Sequence, residues 1–296
     1  MPELPDIEAY LAALRTRCLD QPLTQVRLRS FSLLRTFDPP LEDVHRRRLV
    51  ALRRIGKRIA MGFEGDLWLV LHLMIAGRLR WKDPGAKIPG RIGLAAFDWP
   101  DGTVVLTEAG TKKRASLHVV GSSAGLEEHD RGGAEPLALD AAAFKDVLQD
   151  QNRTLKRALT DQHILSGIGN AFSDEILHAA GLSPVRRTQQ LADDELVRLH
   201  AATHQVLTAW RDRLVEEAEG AFPDEVTAFR PEFAVHGKYG EPCPVCANPV
   251  QRIRYANNET NYCASCQTEG RILADRSLSR LLKDDWPSTL EELKSD

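Results

Sequence analysis

Apolar residues recur at Leu4, Ile7, Leu11, Leu14 and Cys18. That is the spacing of one helix face, so residues 4–18 are predicted to form a helix. Pro5 suits its first turn, where a missing N–H costs no helical bond. From about Val26 to Val120 the pattern changes to short apolar runs such as Leu67-Trp68-Leu69-Val70-Leu71. Turn residues punctuate them at Asp38-Pro39-Pro40, Asp83-Pro84-Gly85 and Asp101-Gly102, which predicts a unit of antiparallel strands. The stretch from Gly121 to Gly125, with Asp130-Arg131-Gly132-Gly133, reads as a linker. Helical periodicity then continues to about Ala221, and Gly181 and Pro184 stop one helix on the way. Residues 236–270 are short of apolar side chains and rich in Cys, Gly, Asn and Pro. The last stretch, Arg271 to Asp296, reads as one charged helix with Leu273, Leu278, Leu281 and Leu282 facing inward.

Composition adds limits. A chain of 296 residues with 43% hydrophobic and 27% charged residues is an ordinary globular sequence of about two domains, not a disordered one. The longest apolar run, Leu67 to Ile75, is interrupted by His72 and is too short to span a bilayer. The start, Met-Pro-Glu-Leu-Pro-Asp, has no basic segment and no apolar core, so neither a membrane partner nor a secretory route is expected, and the chain is read as cytoplasmic. A net charge of -3 speaks at first against a polyanionic partner. It is, however, a cancellation. Arg27 to Arg58 holds ten Arg or Lys against three acids, while Thr188 to Val226 holds nine acids against three Arg. The basic run is either a solvated face or a footprint for phosphates, and composition does not choose between them.

Four of the five cysteines form a C-x2-C pair at Cys243 and Cys246, then sixteen residues, then a second pair at Cys263 and Cys266. This is the spacing of a tetrahedral zinc site, in which two tight turns each present two thiolates. Four thiolates leave no open position for water, so one structural Zn2+ is expected, holding a β-hairpin too small to bury its own core. A pair of redox dithiols is the alternative. The hairpin tip falls at Asn257, Asn258 and Glu259. Cys18, on the apolar helix face, is read as core.

Three segments then carry a resemblance. Met1-Pro2-Glu3-Leu4-Pro5-Asp6-Ile7-Glu8 resembles the opening of the formamidopyrimidine-DNA glycosylase/endonuclease VIII family. Thr154 to Gln162 and Gly167-Ile168-Gly169-Asn170 through Leu177 resemble its helix-two-turn-helix signature, and His236 to Cys243 its approach to a zinc finger. The resemblance implies an α+β chain: a helix plus antiparallel β-sandwich in residues 1–130, and a linker with the first helix of a second domain in 131–150. A helix-two-turn-helix DNA-binding domain follows in 151–235, then a zinc-finger hairpin in 236–270 and an extension in 271–296. It further implies a monomeric bacterial repair enzyme, acting at the nucleoid on double-stranded DNA that contains a damaged base or an abasic site.

The chemistry follows from the residues so placed. Removal of Met1 would leave Pro2 with a free secondary amine. An α-amino group has a pKa near 7.7–8 against about 10.4 for lysine, so its nucleophilic fraction at neutral pH is roughly a hundred times larger. Such an amine can attack C1′ of a nucleotide, expel the base as a Schiff base forms, and permit strand cleavage by β/δ-elimination. Glu3 would move protons at the sugar ring oxygen, and Lys57 matches the family's β-domain lysine. Lys156, Gly169 and Asn170 match its phosphate-binding turn, with Gly167 allowing close approach. Met74 or Ile75 would fill the gap left by a flipped nucleotide, although both also suit a plain core strand. Lys112, Lys113 and Arg114 keep the charge of the family's wedge segment but lose its aromatic residue and proline. Asn258 stands where the finger tip usually carries arginine. The segment from Gly220 to Arg230 lacks the paired glycines and threonine expected of a lesion-capping loop. Lys57, Lys112, Lys113, Arg114 and Lys156 are expected to gather in one cleft. Catalytic parts are kept and reading parts changed, which predicts an active enzyme of a divergent subfamily and leaves its preferred lesion open among 8-oxoguanine, a ring-opened purine, an oxidised pyrimidine or another base. The alternatives are a non-catalytic lesion-binding protein on the same scaffold and an RNA-associated zinc-ribbon protein.

Overall fold

The computed structural model describes residues 1–223, 226–255, 258–274 and 288–294. Its contacts divide the chain into two compact units: Met1–Gly132 with Ala209–Ala228, and Gly133–Thr208 with Phe229–Asp296.

In the first unit, helix α1 (Leu4–Cys18) buries all five of the apolar positions that predicted it. A capping box closes its start, with the Asp6 carboxylate accepting the Glu3 backbone N–H at 2.8 Å. That satisfies a donor no helical carbonyl can reach. Two contacts fix the helix on the strands behind it. Arg54 pairs with Glu8 at 2.8 Å, and the Leu79 N–H donates to the Tyr10 hydroxyl at 3.3 Å.

The strands are β1 (Gln25–Leu28), β2 (Leu49–Ile55), β3 (Arg58–Phe63), β4 (Leu67–His72), β5 (Gly77–Lys82), β6 (Gly93–Trp99), β7 (Gly102–Glu108) and β8 (Ser116–Val120). They form two antiparallel four-stranded sheets, ordered β1-β6-β7-β5 and β2-β3-β4-β8. The main core lies among these sheets, α1 and the end of a long helix, with Tyr10, Phe63, Phe97 and Leu14 almost fully buried. Each such side chain contributes roughly 1.5–3 kcal/mol through burial.

Two turns matter for function. Ile55 pairs with Arg58, so Gly56 and Lys57 make a two-residue hairpin. Gly56 takes a φ of 58°, which glycine adopts without strain. The second turn decides between the two readings left open for Met74 and Ile75. Residues 73–76 are not a core strand, and β4 and β5 are not hairpin partners but belong to different sheets. A tight turn closed by Gly77 N–H to Leu73 O at 2.9 Å carries the chain across. A Cβ at position 77 would lie 2.2 Å from that carbonyl oxygen, so glycine is required there.

The predicted linker is also partly folded. Residues Ser123–His129 form a 3-10 turn whose Leu126 packs with Ile55, Ala60, Trp68 and Val70. Small and polar residues masked that single anchoring leucine.

The second unit contains α2 (Ala141–Gln149), α3 (Leu155–Thr160) and α4 (Asn170–Ala180), together with the first part of α5 (Asp193–Gly220). Gly181 ends α4 in the left-handed conformation at φ 65°, as predicted from its position. The finger follows as hairpin β9 (Gln251–Tyr255) and β10 (Asn258–Tyr262) with the short α6 (Ala264–Thr268). Asn257, predicted at the tip, lies outside the described residues.

The extension departs from its prediction. Arg271 bridges Thr289, and Ile272 N–H donates to Ser288 O at 2.9 Å, so the described residues just after the finger, 271–274, are paired rather than helical. A short α7 (Leu290–Lys294) ends the described chain, and Leu273 and Leu290 pack with Ile253, Tyr262 and Ala264 of the finger. Leu278, Leu281 and Leu282 lie outside the described residues. Among the described residues, no helix is long and apolar enough to cross a membrane.

Candidate functional site

The start of α1 is a buried polar site. Pro2, Glu3 and Asp6 are buried, as is Lys57 at its hairpin tip, only 6% exposed. Burial holds the α-amine of Met1, the residue before Pro2, below the ordinary α-amine range. The carboxylates Glu3 and Asp6 pull it up, and Arg78 and Lys57 push it further down. An α-amine held in these surroundings, with lysine and arginine nearby, is favoured in its neutral form. The structure thus brings together the three residues predicted as catalytic, Pro2, Glu3 and Lys57, and adds Arg78. Sequence reasoning passed over Arg78 because one arginine in a strand is unremarkable by pattern. Its guanidinium is fixed by the carbonyls of Gly77 at 2.7 Å and Ile75 at 3.2 Å, and by that of Val226.

Beside it, the 73–76 turn presents Ile75, which is 58% exposed, while Met74 is half-buried with a left-handed φ of 53°. The Met74 N–H donates to His72 Nδ1 at 3.0 Å, which requires an unprotonated Nδ1. Burial, with help from Arg58, Lys57, Arg131 and His118, pushes the His72 pKa down to about 4. The unfolded chain therefore binds this proton first as pH falls. The folded state keeps its full advantage above the unfolded value of 6.5 and loses it progressively down to about 4. Between pH 7.5 and 5 this single group is expected to remove about 2 kcal/mol of stability. His72→Asn, whose amide oxygen can accept the same N–H without titrating, should flatten that part of the profile. Urea denaturation of both proteins at the two pH values measures the difference; equal losses would contradict this assignment.

Of the three cations predicted in the 112–114 segment, Lys112 and Arg114 are exposed. Lys113 is turned onto its own loop, donating to Gly110 O at 3.0 Å and to Glu108 O. The buried Glu108 carboxylate holds this loop by accepting the N–H groups of Arg114 at 2.9 Å and Ala115 at 3.2 Å.

The second unit holds a groove of about 580 Å³. Lys156, Asn170 and Asn258, three of the predicted binding residues, all line it. Arg153, Arg157 and Arg187 join them, and no carboxylate lines it among the described residues. Arg153 and Arg157 flank Lys156 on or just before α3, a signal available in the sequence. Arg187 was not legible, because it arrives through a tertiary bridge between Thr154 and Arg187.

Gly169 caps α4, and Gly167 has a φ of 82°. Gln162 staples the turn between the helices, donating to Ile168 O at 2.7 Å and accepting the Gly167 N–H at 2.9 Å. The Asn170 amide donates to Glu259 O of the finger at 2.8 Å, so it also fastens β10 to α4.

Behind the groove, buried Asp174 accepts from Lys156 Nζ at 2.5 Å and faces His236 Nδ1 at 2.7 Å. Its neighbour Glu175 accepts three backbone N–H groups, those of Ala234, Val235 and His236, at 2.7–3.0 Å. Burial raises the Glu175 pKa, and these three donors pull it back. The two carboxylates therefore anchor the approach to the finger on α4. A pair of acids on a helix gave no sequence sign of this role.

The four finger cysteines offer sulfurs that all lie within 4.8 Å of one another, including Cys243–Cys266 at 3.9 Å and Cys246–Cys263 at 3.4 Å. Four sulfurs about 2.3 Å from one ion in a tetrahedron lie about 3.8 Å apart. The donor set fits one structural Zn2+, with Cys243, Cys246, Cys263 and Cys266 as its ligands.

Three family models match in chain order. The formamidopyrimidine-DNA glycosylase N-terminal domain covers residues 1–114, the H2TH domain of the same glycosylase 133–211, and the zinc finger found in FPG and IleRS 240–268. The formamidopyrimidine-DNA glycosylase of Thermomicrobium roseum is 34% identical over 90% of this chain and 99% of its own. That of Thermus thermophilus is 32% identical over 91% and 100%. The solved MutM protein of Thermus thermophilus superposes with a TM-score of 0.74 at 30% identity, over 90% of this chain and 98% of that one. The Lactococcus lactis enzyme in complex with abasic-site DNA shares the fold, with a TM-score of 0.79 at 22% identity over 90% and 99%. On full-length relatives at this level of identity, the chain belongs to the formamidopyrimidine-DNA glycosylase family.

Proposed function

We propose that this chain is a DNA glycosylase that removes a damaged base from duplex DNA and then cleaves the strand as an abasic-site lyase, using Pro2 as its nucleophile. The observation that carries this reading is the buried grouping of Pro2, Glu3 and Lys57 at the start of α1, where removal of Met1 would leave the Pro2 nitrogen as the chain's amine. Relatives named formamidopyrimidine-DNA glycosylase, matched over 90% and 91% of the chain, support the substrate class.

Once Met1 is removed, the Pro2 nitrogen attacks C1′, the bond from C1′ to the base breaks with its electron pair leaving on the base, and the base takes up the proton that the Pro2 N–H gives up. Glu3 delivers a proton to the ring oxygen as the sugar opens, giving an iminium between Pro2 and C1′. The iminium acidifies the C2′ proton. Its removal expels the 3′ phosphate, a second elimination expels the 5′ phosphate, and water releases Pro2. Lys57 and Arg78 supply positive charge to the flanking phosphate and disfavour protonation of the amine. The exposed Ile75 is the better candidate of the two turn residues for occupying the vacated stack.

Duplexes containing a ring-opened purine, 8-oxoguanine, an oxidised pyrimidine or an abasic site test this directly. The expected result is base release from at least one lesion and a strand break at the abasic site. An intact strand at the abasic site, with binding retained, would refute it.

The groove makes a separate prediction. Lys156→Gln should weaken binding to all duplexes about equally and reduce the slope of log affinity against log salt by about 0.9, one phosphate contact. Salt titration by fluorescence anisotropy reads this slope, and an unchanged value would remove Lys156 from the phosphate contacts.

A further inference from the structure

Each C-x2-C turn of the finger supplies a backbone donor of its own. The Asn248 N–H reaches the Cys246 sulfur, and the Cys266 N–H reaches the Cys263 sulfur. At Cys243 a donor comes from outside the finger. His178, on α4, places Nε2 3.3 Å from the Cys243 sulfur, 65 positions away in sequence. Both residues are buried, His178 to 8% exposure and Cys243 to 2%. His178 lies among Ile176, Leu177 and Ala180, all buried, where an imidazole without a partner would be costly. Four thiolates on one divalent cation carry a formal charge of about -2 in a place with little water. Every N–H aimed at a sulfur stabilises that charge, and a neutral imidazole does so without adding charge of its own.

We propose that His178 is a positioning residue of the zinc site, donating its Nε2–H to the Cys243 thiolate and tying the metal to the helix whose first residue, Asn170, lines the cationic groove. The finger is then fastened to α4 at both ends of that helix: by Asn170 on Glu259 near its start and by His178 on Cys243 near its end. This holds whatever the groove binds.

The test uses the full-length, metal-loaded protein. His178→Phe keeps a ring but removes the donor, and His178→Gln returns an amide N–H at similar reach. Competition against a chromophoric chelator should show zinc held about 10–100-fold more weakly in His178→Phe, with most of the loss restored in His178→Gln. In the cobalt-substituted proteins, the sulfur-to-metal charge-transfer band should move to lower energy in His178→Phe, because a thiolate without its donor gives up electrons more easily. His178→Gln should move it back.

Unchanged zinc affinity and an unmoved band in His178→Phe would overturn the proposal. So would an equal loss of affinity in both variants with the band unmoved, which would make the histidine a packing residue only. Should His178→Phe not fold, the wild-type protein decides. After cadmium-113 substitution, scalar coupling between the metal and the His178 Nε2 proton is expected, and its absence rules the bond out.

Discussion

Replacing Glu3 by Gln is expected to slow release of a damaged base by about 10²–10⁴-fold, the usual scale for losing a general acid. Cleavage at an abasic site that already exists should change far less, by about tenfold or under. The difference comes from the substrates. An intact nucleotide needs its ring oxygen protonated as the sugar opens, whereas an abasic sugar already equilibrates with its open aldehyde and presents a carbonyl to Pro2. Glutamine is nearly isosteric and can still accept a hydrogen bond at the helix start, where Glu3 and Asp6 form the capping box, so the fold should survive. Single-turnover rates on a lesion duplex and an abasic duplex measure the split. Equal losses on both would move Glu3 from proton transfer to general support of the site.

Losing the metal should have the second large effect. The finger's buried residues form two small clusters, Val235, Cys243, Val250 and Cys263 around the sulfurs, and Ile253, Tyr262 and Ala264 with Leu290. Their few large apolar side chains contribute roughly 1.5–3 kcal/mol each, against apparent zinc binding energies on the order of 10–16 kcal/mol in small fingers. Cys263→Ser, or a strong chelator, should therefore unfold β9 and β10 and remove Ile253, Asn258 and Thr260 from the groove wall. Two polar contacts to phosphate at about 1.5 kcal/mol each correspond to roughly a hundredfold loss of DNA affinity. The first unit, whose core contains none of the finger residues, should keep its cooperative unfolding. Metal analysis, binding titration and denaturation followed through Trp68, Trp81 and Trp99 check these three outcomes. Retained DNA affinity without metal would show that the finger does not shape the groove.

How much was legible in the sequence depended on distance along the chain. Helix α1, the zinc ligands and the turn around Gly167 to Asn170 are local patterns, in which a few neighbouring residues carry the physical constraint, and all three appear where their spacing placed them. The route of β4 into β5 was not legible, since alternation tells which residues are buried and not which sheet a strand joins. The linker reading missed Leu126 because one buried leucine among glycines and serines leaves no periodicity. Arg78, Asp174, Glu175, His178 and Arg187 gain their roles through partners 18 to 148 positions away, such as Lys156 for Asp174 and Val226 for Arg78. No single-sequence pattern reports such pairings.

Net charge misled for a related reason. A total of -3 averages over the chain, while the groove gathers Arg153, Lys156, Arg157 and Arg187 on a wall that no acid lines among the described residues. A phosphate backbone responds to that local field.

The central claim is that Pro2 attacks the sugar. Borohydride added during reaction with an abasic-site duplex reduces the iminium to a stable amine and freezes the bond between protein and DNA. The account predicts one covalent adduct per active chain, with a mass lacking Met1, and a tryptic map that places the attachment on the Pro2 nitrogen. An adduct on Lys57 or Lys156, or none at all while the duplex stays bound, would contradict it.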